Sequence, residues 1–265
     1  MITAEAFNAR LQAGEKIEST DEMSDEYREA LTNLLLQQAD SELSGAYGYI
    51  PWIEKAPSIH EKLLVAQIAK DEIRHAYAMF KLLAELGMDV EHYIAQHPYA
   101  FRVADGNADI GTQRLTEDKR VNIFYYPIET WTDFILFNFL MDRGAGHQLE
   151  DTLDSSYAPW FRTIKTIFQE ETMHMNHGDT WVKRLSENPE TRAELQEGIN
   201  KWYPRVMNIF GRPGAPKNQL YVKLGLKKRD NGLVRDVFKA DVEARLEGTG
   251  VVLPDWVPYY EKKAV

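Results

Sequence analysis

The sequence DEIRH at residues 71–75 has a counterpart, EETMH, at residues 170–174. Each stretch contains a Glu-x-x-His pair, and side chains at positions i and i+3 lie on the same face of an α-helix. Apolar residues at helical spacing flank both pairs, among them Ile68 near the first and Met175 near the second. A Glu and a His on such an apolar face would be buried, which is unfavourable unless they are paired or bind a metal ion. The two stretches therefore predict a metal site inside a bundle of helices.

The rest of the chain has the same helical periodicity, and Gly and Pro stand mainly between long periodic runs. Ser58 and Glu61 match a capping box, which predicts a sharp start for the second long helix. Residues 89–126 form a long linker in which only short helices are expected. The predicted helices cover residues 25–46, 58–86, 127–150, 156–185 and 189–211, with weaker segments at 220–228 and 233–247. Long helices with one crossover connection predict an all-α four-helix bundle with extra C-terminal helices.

Each half of this bundle offers one further carboxylate. Glu42 precedes Glu72 by 30 residues, and Asp142 precedes Glu171 by 29 residues. Asp133 points about 180° away from Asp142 around the same helix, so the two cannot serve one site. Carboxylates and imidazoles in this repeat suit a pair of iron ions, with manganese as the other candidate. The predicted metal ligands are Glu42, Glu72, His75, Asp142, Glu171 and His174.

Residues next to the predicted ligands have secondary roles. Asp71 and Glu170 come directly before the two Glu-x-x-His pairs, and one of them is expected to accept the second N–H of a ligating imidazole. Gln37 and Gln38 lie one turn before the carboxylate of the first helix. Gln37 and Asp142 are the predicted catalytic residues, with Gln37 contacting either the substrate or the oxygen adduct.

Composition and charge exclude several classes of function. The 265 residues include 41 Asp and Glu, 31 Lys and Arg, and no Cys. Cys-based zinc sites and iron–sulfur clusters are therefore excluded, and a net charge of -10 argues against a nucleic-acid surface. The N-terminal residues lack the apolar run expected of a signal peptide, and no apolar run approaches the ~20 residues that span a bilayer. We expect a cytoplasmic protein with one domain over residues 1–265, its bundle core at about 25–186 and its C-terminal extension at about 189–265.

The motifs and their intervals resemble those of the catalytic subunit of phenylacetyl-CoA epoxidases, which are bacterial oxygenases of several components. The resemblance covers about residues 5–250. Ile68 stands where the resemblance leads us to expect Lys, and the family's catalytic subunits are expected to extend further beyond Trp256. The matching stretches are Ser41-Glu42, Trp52-Ile53, Ala56-Pro57, Asp71-Glu72 with His75, Tyr126-Pro127, Trp131 with Asp133, Asp142, and Glu170-Glu171 with His174.

This resemblance implies a ferritin-like fold and a function in phenylacetate catabolism. It implies a di-iron monooxygenase that inserts one oxygen atom from O2 into phenylacetyl-CoA or another aromatic or unsaturated acyl-CoA. It favours Asp142 over Asp133 as the ligand from the third helix. The implied partners are a homologous structural subunit, with which the chain would form an oligomer, and a separate reductase that supplies electrons.

Other interpretations remain open from the residues alone. A ferritin-like ferroxidase or peroxidase would need the same ligands without an organic substrate. A non-catalytic scaffold subunit of an oxygenase is also open, although such subunits can lose ligands that this chain keeps. A radical-generating ribonucleotide reductase subunit shares the ligand pattern as well. Finally, the basic cluster of Lys223, Lys227, Lys228 and Arg229 is either a solvated face or a site for substrate phosphates.

Overall fold

Helices make up the regular structure of the computed structural model, which describes residues 2–102 and 104–261. The helices before the crossover connection are α1 (Ala4–Gln12), α2 (Asp25–Tyr49), α3 (Trp52–Lys55), α4 (Ile59–Glu85) and α5 (Val90–Ala95). Those after it are α6 (Trp131–Leu136), α7 (Arg143–Glu150), α8 (Ala158–Ser186), α9 (Pro189–Met207), α10 (Pro216–Lys223) and α11 (Asn231–Leu246). The same residues contain no strand, only an isolated bridge between Ile17 and Tyr157. The prediction of an all-α fold is confirmed.

Four long helical rods form the bundle, namely α2, α4, the rod at residues 131–150, and α8. Apolar stripes bring them together, such as Leu31 and Leu35 on α2, which are fully buried. Serine hydroxyls cap both helices of the first pair, since Ser24 and Ser58 each accept a hydrogen bond from a backbone N–H of the first turn. Gly87, with φ at 93°, follows the end of α4 in a left-handed conformation. The start and stop of α4 place the first Glu-x-x-His pair near the middle of that helix.

The capping box predicted at Ser58 is only half formed. Ser58 Oγ accepts from the backbone N–H of Glu61, but the Glu61 carboxylate does not return to the cap. It lies instead 2.8 Å from His177 Nε2 on α8. The Glu61 carboxylate thus pairs with a buried imidazole rather than with the backbone N–H of Ser58. A complete capping box is found at the start of α6, between Thr130 and Asp133.

The third rod differs from the predicted helix at residues 127–150. It begins at Trp131, after the Thr130 cap, and it contains a π-helical turn at Phe137–Asp142 between α6 and α7. A π turn inserts an extra residue and is often found at functional sites. Gly178 on α8 packs against this turn, because a Cβ there would stand 2.6 Å from the backbone nitrogen of Phe139. The missing side chain lets α8 approach the π turn directly.

Segments outside the bundle cover its flanks. The crossover contains α5 and a 3-10 turn at Asn122–Tyr125, and the sequence did not predict α1. The segment predicted at residues 220–228 is α10, which begins earlier because Pro216 suits the first turn. It also ends earlier, before Gly225, whose φ is 66°. No helix in the part of the chain that the structure describes is long and apolar enough to cross a bilayer.

Candidate metal centre and cavity

The six predicted ligands come together in the middle of the bundle. Glu42 is on α2, Asp142 closes the π turn, and the two Glu-x-x-His pairs are on α4 and α8. Their donor atoms form two groups, each with all atoms within 4.8 Å of one another. The first group is Glu42, Glu72, His75 and Glu171, and the second is Asp142, Glu171 and His174. Glu171 belongs to both groups, so its carboxylate lies between them.

The two imidazoles face carboxylates of the opposite motif. His75 Nδ1 lies 3.2 Å from Glu171 Oε1 and 3.5 Å from Glu42 Oε2. His174 Nδ1 lies 3.4 Å from Glu72 Oε1 and 3.5 Å from Glu171 Oε2. Both imidazoles are fully buried, and neither Nδ1 atom makes a hydrogen bond within the described residues. A buried nitrogen in this state, surrounded by carboxylate oxygens, fits a metal-ion ligand.

Acids outside the cluster lie on the far side of both imidazoles, and the one beside His75 is within hydrogen-bond distance. His75 Nε2 donates to Glu170 Oε2 over 2.8 Å, and His174 Nε2 lies 3.8 Å from Asp71 Oδ2. Arg74 joins the two acids, at 2.8 Å from Asp71 and 2.6 Å from Glu170. When Nε2 carries the proton of a neutral imidazole, the lone pair is on Nδ1, which faces the cluster. The arrangement therefore presents the metal-binding nitrogen inward.

Burial and neighbouring charges shift the pKa values of three acids of the cluster. Burial, together with Glu171, Glu42 and Asp142 nearby, raises the pKa of Glu72 well above its usual range. Burial and the Glu171 charge raise the pKa of Asp142 to about 7. The His174 and His75 imidazoles overcome burial and lower the pKa of Glu171 to about 2. Four carboxylates packed this closely need positive charge, and two divalent ions with neutral imidazoles would balance them.

Two residues at the centre were missed by sequence reasoning. The Tyr49 hydroxyl donates to Asp142 Oδ1 over 2.9 Å, and Asn138 Nδ2 donates to Asp142 Oδ2 over 2.8 Å. Both are buried. Their positions did carry a signal, because Tyr49 follows Glu42 by two helical turns and Asn138 precedes Asp142 by four residues. Polar residues at those positions would share a face with the ligands.

The two glutamines lie in different environments. Gln38 Nε2 donates to Glu42 Oε1 over 3.2 Å, and Gln38 Oε1 accepts from Trp160 Nε1 over 3.0 Å. Gln37 Oε1 accepts from Arg114 Nη2 over 2.9 Å and lines the cavity beside the centre. Both glutamines line the cavity, but Gln38 contacts the predicted metal ligand Glu42, whereas Gln37 contacts Arg114. The assignment of Gln37 as a catalytic residue stays a prediction.

A cavity of about 520 Å³ opens onto the centre. Glu42, Glu72, Asp142 and Glu171 lie at its buried end, and its walls include apolar side chains such as Phe124. The cationic residues that line it are Arg114, Lys119, Arg212, Lys217 and Lys227, of which Arg114, Arg212 and Lys217 are exposed. The four acids are thus at the inner end, and exposed cations are at the mouth.

Polar groups without partners also line this cavity. Asn122 Nδ2, Asn208 Oδ1 and Asn218 Oδ1 are buried and make no hydrogen bond to the part of the chain that the structure describes. Buried amide groups are usually satisfied by protein, water or ligand. Their presence on the cavity wall fits a ligand that carries hydrogen-bonding groups along its length.

The cations of the basic cluster at residues 223–229 lie beside acids of the same chain. Arg229 Nε donates to Asp151 Oδ1 over 2.8 Å, and the buried Lys227 ammonium lies 3.8 Å from Asp151 Oδ2. Lys228 lies 4.0 Å from Asp154 Oδ2 and Lys223 lies 3.9 Å from Glu26 Oε2. All four cations therefore have acidic partners in their own chain. Only Lys227 of this cluster lines the cavity.

Comparison with known proteins identifies relatives along nearly the whole chain. The family model described as phenylacetic acid catabolic protein matches residues 7–264. One subunit of the 1,2-phenylacetyl-CoA epoxidase of Escherichia coli (strain K12) is 27% identical over 259 residues, or 96% of this chain and 78% of the relative. Component B of the benzoyl-CoA oxygenase of Aromatoleum evansii is 27% identical over 204 residues, or 76% of this chain and 40% of the relative.

Proposed function

The chain belongs to the phenylacetic acid catabolic protein family, and on this premise we propose that it is the oxygen-inserting subunit of a di-iron monooxygenase. Its substrate would be the CoA thioester of an aromatic or unsaturated acid, and its product an epoxide. The two relatives are named for phenylacetyl-CoA and benzoyl-CoA, as parts of an epoxidase and an oxygenase. They support the oxygenase class and the thioester, while the acyl group of this chain's substrate is open.

The observation that carries the proposal is the pair of unpartnered Nδ1 atoms that face shared carboxylates at the end of a cavity. His75 and His174 supply the nitrogens, and the carboxylates are those of Glu42, Glu72, Asp142 and Glu171. Four carboxylates with two imidazoles from Glu-x-x-His pairs are the donor set of di-iron bundles. The residues present therefore fit a pair of iron ions, with manganese as the other candidate.

Each part of the site has a chemical task in this proposal. When bound, the irons would supply the reductive activation of dioxygen. Glu170 orients the His75 imidazole, and the Asp71 carboxylate lies near the imidazole of His174. Tyr49 and Asn138 hold the Asp142 carboxylate. One oxygen atom enters the substrate and the other leaves as water, so each turnover consumes two electrons and two protons. A separate reductase would deliver the electrons, because the chain holds no Cys for an iron–sulfur cluster.

The distribution of charge in the cavity supports a CoA thioester. Arg114, Arg212 and Lys217 at the mouth suit the phosphates of CoA, although the whole chain carries a net charge of -10. Unpartnered amide atoms, such as Asn218 Oδ1, suit the amide groups of the pantetheine arm. The acyl group would then reach the inner end along apolar wall residues such as Phe124, close to Glu72 and the other acids.

The same cavity separates this function from that of a ferroxidase. A ferroxidase needs access for iron and oxygen only, whereas a volume of about 520 Å³ is in the range of pockets that bind small organic molecules. The presence of all six ligands argues against a scaffold role that lacks catalysis. The relatives are named as parts of larger enzymes, which supports a partner in the form of a homologous structural subunit.

Metal analysis tests the centre. Protein reconstituted with ferrous iron under argon is expected to hold about two iron atoms per chain. The double variant His75→Ala with His174→Ala should lose both, while His147→Ala should retain them, since His147 pairs with Asp241 away from the centre. A wild-type protein without iron, or a double variant with unchanged iron content, would overturn the di-iron proposal.

Turnover tests the substrate. The protein copurified with its partner subunit is supplied with a reductase, 18O2 and a panel of aromatic and unsaturated acyl-CoA esters. Mass spectrometry should find one 18O atom in the CoA product and none when the free acid replaces the thioester. Rapid iron oxidation and mineralisation without a reductase, with no labelled thioester from any ester, would favour the ferroxidase.

A further inference from the structure

A line of buried hydrogen bonds leads from Asp142 through Asn138 and His177 to Glu61. Asn138 Nδ2 donates to Asp142 Oδ2 over 2.8 Å. His177 Nδ1 lies 3.1 Å from Asn138 Oδ1, and His177 Nε2 lies 2.8 Å from Glu61 Oε2. The line joins three parts of the bundle, because Asn138 is in the π turn, His177 is on α8 and Glu61 is in the first turn of α4. Only Asp142 among these residues is a proposed ligand.

Apolar side chains enclose this line of polar ones. Asn138 is fully buried, and His177 and Glu61 are 8% and 7% exposed. The rings of Trp131 and Phe134 lie edge-on to the His177 imidazole, with centroids 6.4 Å and 6.3 Å away. Apolar residues of similar shape would pack here without the desolvation that polar groups require. An unbroken run of buried polar groups that ends on a proposed ligand therefore points to a role beyond packing.

The direction of each hydrogen bond follows from Asp142. A metal-binding carboxylate only accepts hydrogen bonds, so the Asn138 amide must turn its NH2 group toward Asp142 and its oxygen toward His177. That oxygen requires a proton on His177 Nδ1, and Glu61 then faces Nε2 with one proton between them. A reversed Asn138 amide would place its oxygen against the Asp142 carboxylate, which is repulsive. Each link thus holds the next in one orientation.

We propose that His177, held by Glu61, is a positioning residue that keeps the Asn138 amide turned toward Asp142 and thereby keeps this carboxylate in its metal-binding orientation. The inference rests on the proposed function, since it takes Asp142 to be a ligand. Loss of a residue that orients a ligand typically weakens metal binding about 10–100-fold. His177 acts through one intervening residue, so we expect its loss to fall at the lower end, about tenfold.

Two substitutions of His177 separate positioning from packing. The amide of an Asn side chain occupies the place of Nδ1, so His177→Asn keeps a donor for Asn138 and loses contact with Glu61. The amide of a Gln side chain reaches the place of Nε2, so His177→Gln keeps the Glu61 contact and loses the donor to Asn138. His147→Gln is the matched control, because His147 Nε2 also pairs with an acid, Asp241, over 3.0 Å.

Cobalt binding to the metal-free protein gives a readout that does not depend on turnover. Co(II) is titrated against each variant, its visible absorption bands give the dissociation constant, and thermal unfolding of the metal-free protein reports stability. His177→Gln should weaken Co(II) binding about tenfold and alter the bands. His177→Asn and His147→Gln should stay within about threefold of the wild type. Equal affinities for His177→Gln and His177→Asn, or an equal loss in the control, would overturn the proposal.

Asn138→Leu provides a second, independent measurement. It removes the link itself and should weaken Co(II) binding by about tenfold or more. Adding His177→Gln to Asn138→Leu should then cause no further loss, because His177 acts through Asn138. Unchanged affinity in Asn138→Leu contradicts the positioning role even if His177→Gln does not fold. If the wild-type protein binds no Co(II), the di-metal centre itself is refuted, which is a distinct outcome.

Discussion

The hydroxyl of Tyr49, at the end of α2, donates a hydrogen bond of 2.9 Å to Oδ1 of Asp142 in the π turn. Burial, followed by the Asp142 charge, raises the pKa of Tyr49 well above its usual range, so the hydroxyl keeps its proton. Tyr49→Phe should preserve the ring packing and remove this donor. We expect Co(II) binding to weaken about tenfold. Tyr203→Phe, whose ring is buried away from the centre, should leave the affinity unchanged, and an equal loss there would contradict the assigned role.

Glu170→Gln tests the acid behind His75. The substitution keeps the size of the side chain but replaces the charge that accepts from His75 Nε2. The His75 imidazole should become a weaker metal ligand. The metal ion that it helps to hold should then bind about 10–100-fold more weakly. Isothermal titration with Fe(II) under argon measures this. Glu150→Gln, on the exposed end of α7, should titrate like the wild type.

The cations at the cavity mouth should contribute to CoA affinity. Arg212→Ala and Lys217→Ala should each raise the dissociation constant for CoA about three- to tenfold at low salt. Because these side chains are exposed, the difference from wild type should shrink in 0.5 M NaCl. Lys239→Ala removes an exposed cation on α11 that pairs with Glu243. If Lys239→Ala weakens CoA binding as much as the two variants at the mouth do, the loss reflects the net charge of the protein rather than a phosphate site at the cavity mouth.

Gly178→Ala should destabilise the bundle. The added Cβ would lie 2.6 Å from Phe139 N and 2.7 Å from Phe139 Cα, and backbone atoms of the π turn cannot move aside. We expect a loss of about 1–3 kcal/mol in the free energy of unfolding, measured with urea. At Gly146, by contrast, the nearest atoms belong to the flexible Met175 side chain, at 3.3 Å and 3.4 Å. Gly146→Ala should be tolerated.

Low pH should remove the contribution of the Asp241 carboxylate to the free energy of unfolding. The hydrogen bond from His147, together with the Arg143 guanidinium, lowers the pKa of this carboxyl well below its ordinary value of 3.8. Folding therefore favours the ionised form, and the stabilisation is present above the unfolded-state pKa and lost as pH falls through the folded-state value. Asp241→Asn should lower the free energy of unfolding by about 1–3 kcal/mol at pH 7. Urea titrations should find this difference constant from pH 7 to about pH 5 and narrowing from there toward pH 3, and a difference that stays constant down to about pH 3 would contradict the electrostatic origin.

Local spacing was enough to predict which residues would meet in the bundle. Glu72 and His75 repeat at Glu171 and His174, and i, i+3 geometry puts each pair on one buried face of its helix, where the structure brings the two pairs together. Their role as metal ligands stays a prediction, which the unpartnered Nδ1 atoms support. The ends of α4 could also be predicted from local sequence, because the Ser58 cap and the left-handed Gly87 depend only on residues within one turn.

Features that depend on distant contacts could not be read in the same way. The π turn falls in Phe137–Asp142, where all six side chains are buried and four are apolar, so no periodicity distinguishes it from a regular helix. The mouth of the cavity gathers Arg114 from the crossover and Lys217 from α10. The Glu61 carboxylate pairs with the imidazole of His177, 116 residues away, and not with the predicted cap. Each of these outcomes is decided by tertiary packing.

The imidazoles of α4 and α8 each lie against acids of the other helix, so the centre is complete only when these two helices have docked correctly. Neither helix holds more than one Glu-x-x-His pair, and each His lies against acids of the opposite helix. On the proposed function, a chain in which these helices have not docked would offer iron only fragments of its final coordination. Loosely held iron generates damaging oxidants, so a nascent or partly unfolded chain would be spared from carrying it. Cofactor loading would then act as the last checkpoint of folding.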